Sequence, residues 1–144
     1  MIRELLAPDT HLAYAAMREL RAGIGSSDQF VARVNDLQRP EGYRLVGTFV
    51  EGVVEAVGVA GFRTAHYLAW NYALYCDDLS SLPAFRRQGH AGALLDWMVA
   101  EARRLGCTEF HLDSGVIPEA RSAAHRLYMN KGMHISAYHF SQKL

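Results

Sequence analysis

The chain has 144 residues, 50% of them apolar and 21% charged, a composition that is typical of one soluble globular domain. Fifteen basic residues balance fifteen acidic ones, so no net field attracts nucleic acid or an anionic membrane. No window resembles a membrane span, and Cys76 and Cys107 fit no zinc or redox pattern. These features predict a single cytoplasmic domain over residues 1–144, without metal and with both cysteines reduced.

The first quarter of the chain is predicted to form one short strand and two helices. Asp9 and Thr10 can cap the first helix, because apolar residues recur after them at three-to-four spacing. The segment 26–28, Ser-Ser-Asp, offers caps for a second helix, which ends before Pro40.

The middle of the chain is rich in β-branched and aromatic residues and predicts strands. Two strands are expected from Tyr43 to Val50 and from Val53 to Phe62, joined by a turn at Glu51-Gly52. A third is expected from about Tyr67 to Leu82, and Pro83 ends it because proline cannot donate to a ladder.

The last third of the chain alternates helices and strands. Helices are predicted from Gly89 to Leu105 and from Pro118 through Tyr128, with strands over 108–113 and from Ile135 to Phe140. The order of elements predicts an α/β fold, with a mixed sheet flanked by helices.

The most informative segment joins the third strand to the helix that begins near Gly89. Such a junction directs several backbone N–H groups and the positive end of the helix dipole at one point, and glycine lets a phosphate approach closely. A pyrophosphate fits this pattern, although a capped helix beside the solvated Arg86 and Arg87 gives the same pattern. The segment has neither the Lys-Ser/Thr of a P-loop nor the context of a dinucleotide fold, so nucleoside triphosphates and NAD are not favoured.

Two motifs resemble the GNAT superfamily of N-acetyltransferases. The pyrophosphate loop of that family reads Gln/Arg-x-x-Gly-x-Gly/Ala, which Arg86, Gly89 and Ala91 match. Residues 124–128, followed by Gly132-Met133, resemble the family's C-terminal helix motif, and the order of elements agrees over nearly the whole chain. The resemblance implies a mostly antiparallel sheet of about six to seven strands with about four helices, acetyl-CoA as co-substrate, and a small-molecule or peptide amine as acceptor.

The resemblance also implies which residues hold the cofactor. The strand would contribute Leu79, Ser80 and Ser81, and the loop would contribute Arg86, Arg87, Gln88, Gly89, His90, Ala91 and Gly92. Many members carry Asn at the position of Arg121, so the usual side-chain contact to the pantetheine arm is not expected from this residue.

Two catalytic roles follow from the same resemblance. The backbone N–H of Leu79 would stabilise the negative charge that forms on the carbonyl oxygen when an amine attacks the thioester. Tyr128 would protonate the departing thiolate, although an aromatic residue at this helical spacing is also typical of a core.

Asp77 and Asp78 are candidates for the base, because the amine must reach the thioester uncharged, directly or through a water relay. Strand alternation puts Asp77 on the face of Leu79 and Asp78 on the opposite face, unless a bulge intervenes. Either carboxylate could instead bind a cationic substrate or end the strand. His111 and Asp113 resemble a metal pair, but the sequence places no third ligand, so no metal is expected.

The sequence therefore predicts an N-acetyltransferase in which an amine attacks acetyl-CoA directly in a ternary complex. The alternatives are a non-catalytic acyl-CoA-binding or regulatory module and a transferase for a longer acyl group. The acceptor would contact the two N-terminal helices and the aromatic surface of Trp70 and Tyr72. The identity of the amine and the existence of a homodimer stay open.

Overall fold

A computed structural model describes the backbone of residues 1–144 and the side chains of all residues outside 118–121. The chain divides into two compact units, residues 1–111 and residues 112–144. That the whole chain acts as one domain stays a prediction.

The described part of the chain contains a five-stranded sheet in which sequence order equals spatial order. Its strands are β1 (Ile2–Leu5), β2 (Arg44–Thr48), β3 (Gly58–Tyr67), β4 (Asn71–Ser81) and β5 (Glu109–Leu112). β1 to β4 pair antiparallel. A helix connects β4 to β5, and the N–H of Thr108 donates to the carbonyl of Tyr72 at 2.8 Å, so β5 begins beside the start of β4, as in a parallel pair. The predicted α/β class and mostly antiparallel sheet are confirmed.

The number of strands is lower than the six to seven predicted, and one predicted strand is missing. Residues 135–140 have no regular secondary structure, and Ile135, Tyr138 and Phe140 are exposed. Alternating apolar residues favour a strand only where a neighbouring strand supplies hydrogen bonds and a face to pack on. No other strand of the described chain pairs with this segment.

The strands predicted in the middle of the chain are present, but they begin and end at other residues than predicted. The turn at Glu51-Gly52 is present, with Gly52 at φ +79°, yet β3 begins only at Gly58 and Val54 is exposed. β3 extends to Tyr67, where the third predicted strand was expected to begin, and a tight turn leads into β4.

The helices are α1 (Tyr14–Leu20), α2 (Ser27–Ala32), α3 (His90–Arg104) and α4 (Pro118–Asn130). A 3-10 segment (Ala7–Ala13) precedes α1, a π-helical segment (Arg33–Gln38) continues α2, and short 3-10 turns cover Arg39–Glu41 and Pro83–Phe85. Ser26 caps α2 in a capping box with Gln29, as the Ser-rich segment predicted.

The predicted cap at Asp9 and Thr10 is wrong. Neither side chain caps the N-terminal helix. Asp9 accepts a hydrogen bond from Arg3 at 2.6 Å, and the buried Thr10 hydroxyl donates to Asn35 at 2.8 Å. Long-range partners therefore satisfy both side chains in place of the local helix.

Apolar side chains are buried on both faces of the sheet. On one face, α1, α2 and the π-helical segment cover a cluster that includes Met17, Phe30, Val34, Tyr43 and Leu45. On the other face, α3 buries Leu94, Leu95 and Met98, and the rings of Phe62 and Trp97 lie 5.9 Å apart. Each fully buried large apolar side chain contributes roughly 1.5–3 kcal/mol.

The second unit contains α4 and the segment that follows it. The helix begins at Pro118 as predicted, and it ends before Gly132, whose φ of +81° favours glycine. Arg121 lies outside the residues whose side chains are described. No helix in the described chain has both the length and the apolar character needed to cross a membrane.

Candidate functional site

Asp77 and Asp78 lie at a β-bulge in β4. Phe62 is opposite Cys76 and Gly61 is opposite Asp78, so Asp77 is an extra residue with no partner in β3. Plain alternation would put the two carboxylates on opposite faces. Because of the bulge, both reach groups on the α1/α2 face: Asp77 binds Arg63, whose guanidinium lies over the Tyr43 ring, and Asp78 binds Tyr43 itself.

The carboxylate of Asp78 is held by two donors and is only 12% exposed. The Tyr43 hydroxyl donates to Oδ2 at 2.7 Å, and Arg21 Nε donates to Oδ1 at 2.8 Å. Burial and the nearby charge of Asp78 raise the pKa of Tyr43 well above its ordinary value, so this hydroxyl stays a donor. Gly61 makes room for it, since a Cβ at this position would overlap the Tyr43 hydroxyl.

The carboxylate of Asp77 has a different partner. Its Oδ2 accepts a hydrogen bond from Arg63 Nε at 2.8 Å. Burial raises the pKa of Asp77, while the hydrogen bond and charge of Arg63 act in the opposite direction. The side chain of Asp77 is thus committed to a neighbour in the sheet.

A cavity of about 380 Å³ opens between the N-terminal helices and the sheet. Met17 of α1, Ile24 of the following loop and Phe30 of α2 line it with apolar surface, together with Tyr43. Four charged or polar side chains complete the lining: Arg21, Arg33, Gln38 and Asp78. Because apolar and polar side chains line it in similar number, the cavity can contact both an apolar and a charged part of a small molecule.

The cavity agrees only in part with the acceptor surface that the sequence predicted. The N-terminal helices line it, whereas neither Trp70 nor Tyr72 is among the described residues that do so. Trp70 stacks on His111 with ring centroids 3.7 Å apart, and Tyr72 stacks on His66 at 4.5 Å. Trp70 therefore packs against β5, and Tyr72 packs against β3.

The end of β4 extends past the end of β5. Since Thr108 bonds to Tyr72, and parallel strands advance together at about 3.3 Å per residue, β5 pairs with β4 only as far as about Cys76. Beyond that point, no strand of the described chain covers this edge of β4. Leu79, Ser80 and Ser81 lie along this edge. Among the backbone carbonyls of residues 77–81, that of Asp77 accepts a hydrogen bond from Arg21 at 3.0 Å and that of Ser81 accepts one from Arg86 at 3.4 Å.

The loop after β4 presents unpaired backbone donors. Arg87 and Gly89 have positive φ of +61° and +87°, and α3 begins at His90 without a side-chain cap. No described residue accepts a hydrogen bond from the N–H groups of residues 87–92, which include Gln88, Ala91 and Gly92. A Cβ on Gly89 would meet nothing within 4 Å, so the loop is open at this point. Such a set of donors at the start of a long helix fits a pyrophosphate.

The side chains of Arg86 and Gln88 form hydrogen bonds that stabilise the loop, whereas one nitrogen atom of His90 has no described hydrogen-bond partner. Arg86 donates to the carbonyl of Ser81 at 3.4 Å and lies 3.7 Å from Glu19, and Gln88 donates to the carbonyl of Ala84 at 3.0 Å. The Nε2 atom of His90 is buried and has no described hydrogen-bond partner.

The remaining predicted residues lie elsewhere. Tyr128 is half-buried in α4, within the second unit. His111 pairs with Glu109 at 2.6 Å and Asp113 pairs with His139 at 2.8 Å, so each has its own partner. Within the described residues, no group of three or more His, Cys, Asp or Glu side chains could hold a metal ion.

Sequence reasoning missed four residues of the cavity: Tyr43, Arg21, Arg33 and Gln38. No local motif marks them, because they meet Asp78 or the cavity only through the fold. The contact between Tyr43 and Asp78 joins residues 35 positions apart, and that between Arg21 and Asp78 joins residues 57 positions apart.

Comparison with known proteins gives one family. The model of the acetyltransferase (GNAT) family matches residues 8–133. No curated protein matches the chain significantly.

Solved structures share the fold at low sequence identity. An aminoglycoside N-acetyltransferase in complex with CoA has 19% identity and a TM-score of 0.81, over 99% of this chain and 93% of that one. The ribosomal-protein-alanine N-acetyltransferase from Brucella melitensis has 18% identity and a TM-score of 0.81, over 100% and 99%. Glucosamine-6-phosphate N-acetyltransferase from Arabidopsis thaliana has 14% identity and a TM-score of 0.75, over 99% and 97%. Their names indicate three chemically different acceptors, so the shared fold does not identify the acceptor of this chain.

Proposed function

The chain belongs to the acetyltransferase (GNAT) family, and we propose that it transfers the acetyl group of acetyl-CoA to a primary amine bound in the cavity beside Asp78. The observation that carries the proposal is the position of this carboxylate. Asp78 lines the cavity, is nearly buried, and precedes by one residue the strand segment that the family resemblance assigns to the acetyl group. An amine and a thioester carbonyl would thus meet at one end of β4.

The acceptor amine enters the cavity in its protonated form, as an ammonium ion. Asp78 attracts it and accepts its proton, directly or through one water molecule, so that the nitrogen lone pair becomes available. The Tyr43 hydroxyl fixes the orientation of the carboxylate from the opposite side. The apolar surface of Met17, Ile24 and Phe30 lowers the local dielectric and favours the uncharged amine.

Acetyl-CoA binds along the end of β4 and the following loop. The unpaired N–H groups of residues 87–92 and the start of α3 receive the pyrophosphate, and Arg86 and Arg87 add positive charge. The backbone of Leu79, Ser80 and Ser81 receives the pantetheine arm and the acetyl carbonyl.

The transfer is a direct displacement. The amine nitrogen forms a bond to the carbonyl carbon, and the N–H of Leu79 stabilises the negative charge on the oxygen. When the carbon–sulfur bond breaks, Tyr128 donates a proton to the thiolate. The nitrogen, which carries one proton more than an amide after the attack, releases that proton to water, and Tyr128 regains its own proton from the solvent. The products are the acetylated amine and free coenzyme A.

The experiment that tests the proposal uses Asp78→Asn, which keeps the size of the side chain and removes its charge. We expect kcat/KM for amine acetylation, followed by release of free thiol, to fall roughly 10²–10⁴-fold. Acetyl-CoA affinity, measured by calorimetry, should stay unchanged because the cofactor loop is intact.

Asp36→Asn is the matched control, since Asp36 is exposed on the π-helical segment and does not line the cavity. Turnover of Asp78→Asn within about threefold of the parent, far short of a general-base effect, would contradict the role of this residue. Acetyl-CoA binding without thiol release to any amine would instead indicate an acyl-CoA-binding module.

A further inference from the structure

The cavity beside Asp78 has more positive than negative charge. Two guanidinium groups, of Arg21 and Arg33, face one carboxylate in its lining. Arg21 is paired with Asp78 at 2.8 Å, so these two charges neutralise each other. The exposed Arg33 forms no ion pair with an acidic side chain in the described part of the chain, so only solvent screens its charge.

Arg33 and Gln38 belong to the same wall of the cavity because the segment between them is π-helical. A π-helix has i→i+5 hydrogen bonds, so residues five positions apart lie about one turn apart on the same side. In an α-helix, Gln38 would be rotated roughly 140° away from Arg33. The rare geometry thus places the guanidinium of Arg33 and the amide of Gln38 in the lining of the same cavity, and π-helical turns are frequent at functional sites.

The other side of this segment is fixed to the protein core. Val34 is buried, and Asn35 accepts hydrogen bonds from Thr10 at 2.8 Å and from Arg39 at 2.9 Å. Arg39 also donates to the carbonyl of Leu5 at 2.8 Å. These contacts fix the backbone of the segment, so Arg33 and Gln38 line the cavity from a rigid part of the structure.

We propose that Arg33 and Gln38 form an anion-binding subsite, and that the acceptor is an amine that also bears a carboxylate or a phosphate group. This inference rests on the proposed function. A guanidinium binds either anion through paired N–H donors, and the amide of Gln38 supplies another. The ammonium end of the acceptor faces Asp78 while its anionic end faces Arg33.

The same charges disfavour polycationic acceptors. A polyamine or an aminoglycoside would bring several positive charges into a cavity that has one carboxylate and the unpaired Arg33. The aminoglycoside N-acetyltransferase that shares this fold therefore does not predict the acceptor of this chain.

The test compares three sets of amines: amino acids, amino-sugar phosphates, and polycations such as spermidine and kanamycin. Thiol release from acetyl-CoA gives kcat and KM for each. We expect turnover with the first or the second set, and the set that is preferred identifies the anion as carboxylate or phosphate.

Arg33→Gln should raise KM for the preferred acceptor roughly 10- to 100-fold, as expected for the loss of a hydrogen bond to a charged group. The value of kcat should change little, because the subsite binds the ground state and the transition state equally. Arg18→Gln is the matched control: it removes the same charge from an exposed position of α1 outside the cavity lining, and KM should stay unchanged.

The outcomes separate this inference from the proposed function. If polycations are acetylated in preference to anionic amines, or if KM is unaffected in a folded Arg33→Gln variant, the subsite is refuted while the transferase function stands. If no amine of any set releases thiol although acetyl-CoA binds, both are refuted.

Discussion

A network of charges that joins α3 to the sheet should make stability depend on pH. Glu101 of α3 is 9% exposed and accepts two hydrogen bonds from Arg104 at 2.7 Å each. Arg44 of β2 lies 2.8 Å from the same carboxylate, and it also binds Glu4 of β1 at 2.7 Å. The hydrogen bonds from Arg104 and Arg44 lower the pKa of Glu101 from 4.5 to about 2, against the effect of burial.

The magnitude follows from this pKa. A depression from 4.5 to about 2 corresponds to roughly 3 kcal/mol. Solvent screening reduces it to about 1–2 kcal/mol, because Arg104 is 67% exposed. Since the pKa in the folded state is the lower one, this stabilisation is fully present above about pH 4.5 and is lost as the pH falls towards 2.

Urea unfolding of Glu101→Gln measures the effect. At pH 7 the free energy of unfolding should fall by about 1–2 kcal/mol with an unchanged m-value, and the difference from the parent should shrink as the pH approaches 2.5. Glu55→Gln is the matched control, because Glu55 is exposed. Equal stability of Glu101→Gln and the parent at pH 7, or a deficit that persists undiminished in acid, would refute the stabilising role of Glu101.

Two further predictions concern the cofactor and the acid. Gly89→Val should abolish acetyl-CoA binding and the thermal stabilisation that the cofactor confers, because a side chain would enter the open loop. Gly106→Val is the control: Gly106 has a similar φ of +83° and equally open surroundings, so this variant should keep both properties. Equal binding by the two variants would contradict the loop assignment. Tyr128→Phe should lower kcat and kcat/KM together by roughly 10²–10⁴-fold while acetyl-CoA affinity is retained, and a change within about threefold would remove Tyr128 as the acid.

Much of the framework could be predicted because its signals are local. The helix expected from Gly89 to Leu105 is α3, His90–Arg104, since apolar periodicity and a glycine stop report on that segment alone. The loop before it is recognised for a similar reason, since a phosphate site built from backbone N–H groups needs only a glycine, a strand end and a helix start; its role in binding the pyrophosphate stays a prediction.

The cavity could not be predicted because its parts come together only in the folded chain. Arg33 and Gln38 resemble any pair of polar surface residues in the sequence, and nothing local indicates that the segment between them is π-helical. The prediction of a strand at 135–140 was wrong for the opposite reason. The local pattern favours a strand, but a strand forms only where a distant segment pairs with it.

Asp77 and Asp78, the adjacent aspartates at the bulge in β4, differ in how firmly each binds its arginine partner. Both carboxylates are on the α1/α2 face, and each has an arginine within 2.8 Å. Arg63 is 26% exposed and lies over the ring of Tyr43, whereas Arg21 is 51% exposed and extends from the end of α1. Arg21 also donates to the carbonyl of Asp77 at 3.0 Å, but its side chain is half exposed. Replacing it by an incoming ammonium ion should therefore cost less than replacing Arg63, which would also have to be unpacked from the Tyr43 ring. We therefore propose that Asp78, and not Asp77, exchanges its cation for a substrate ammonium ion, while Asp77 keeps its bond to Arg63.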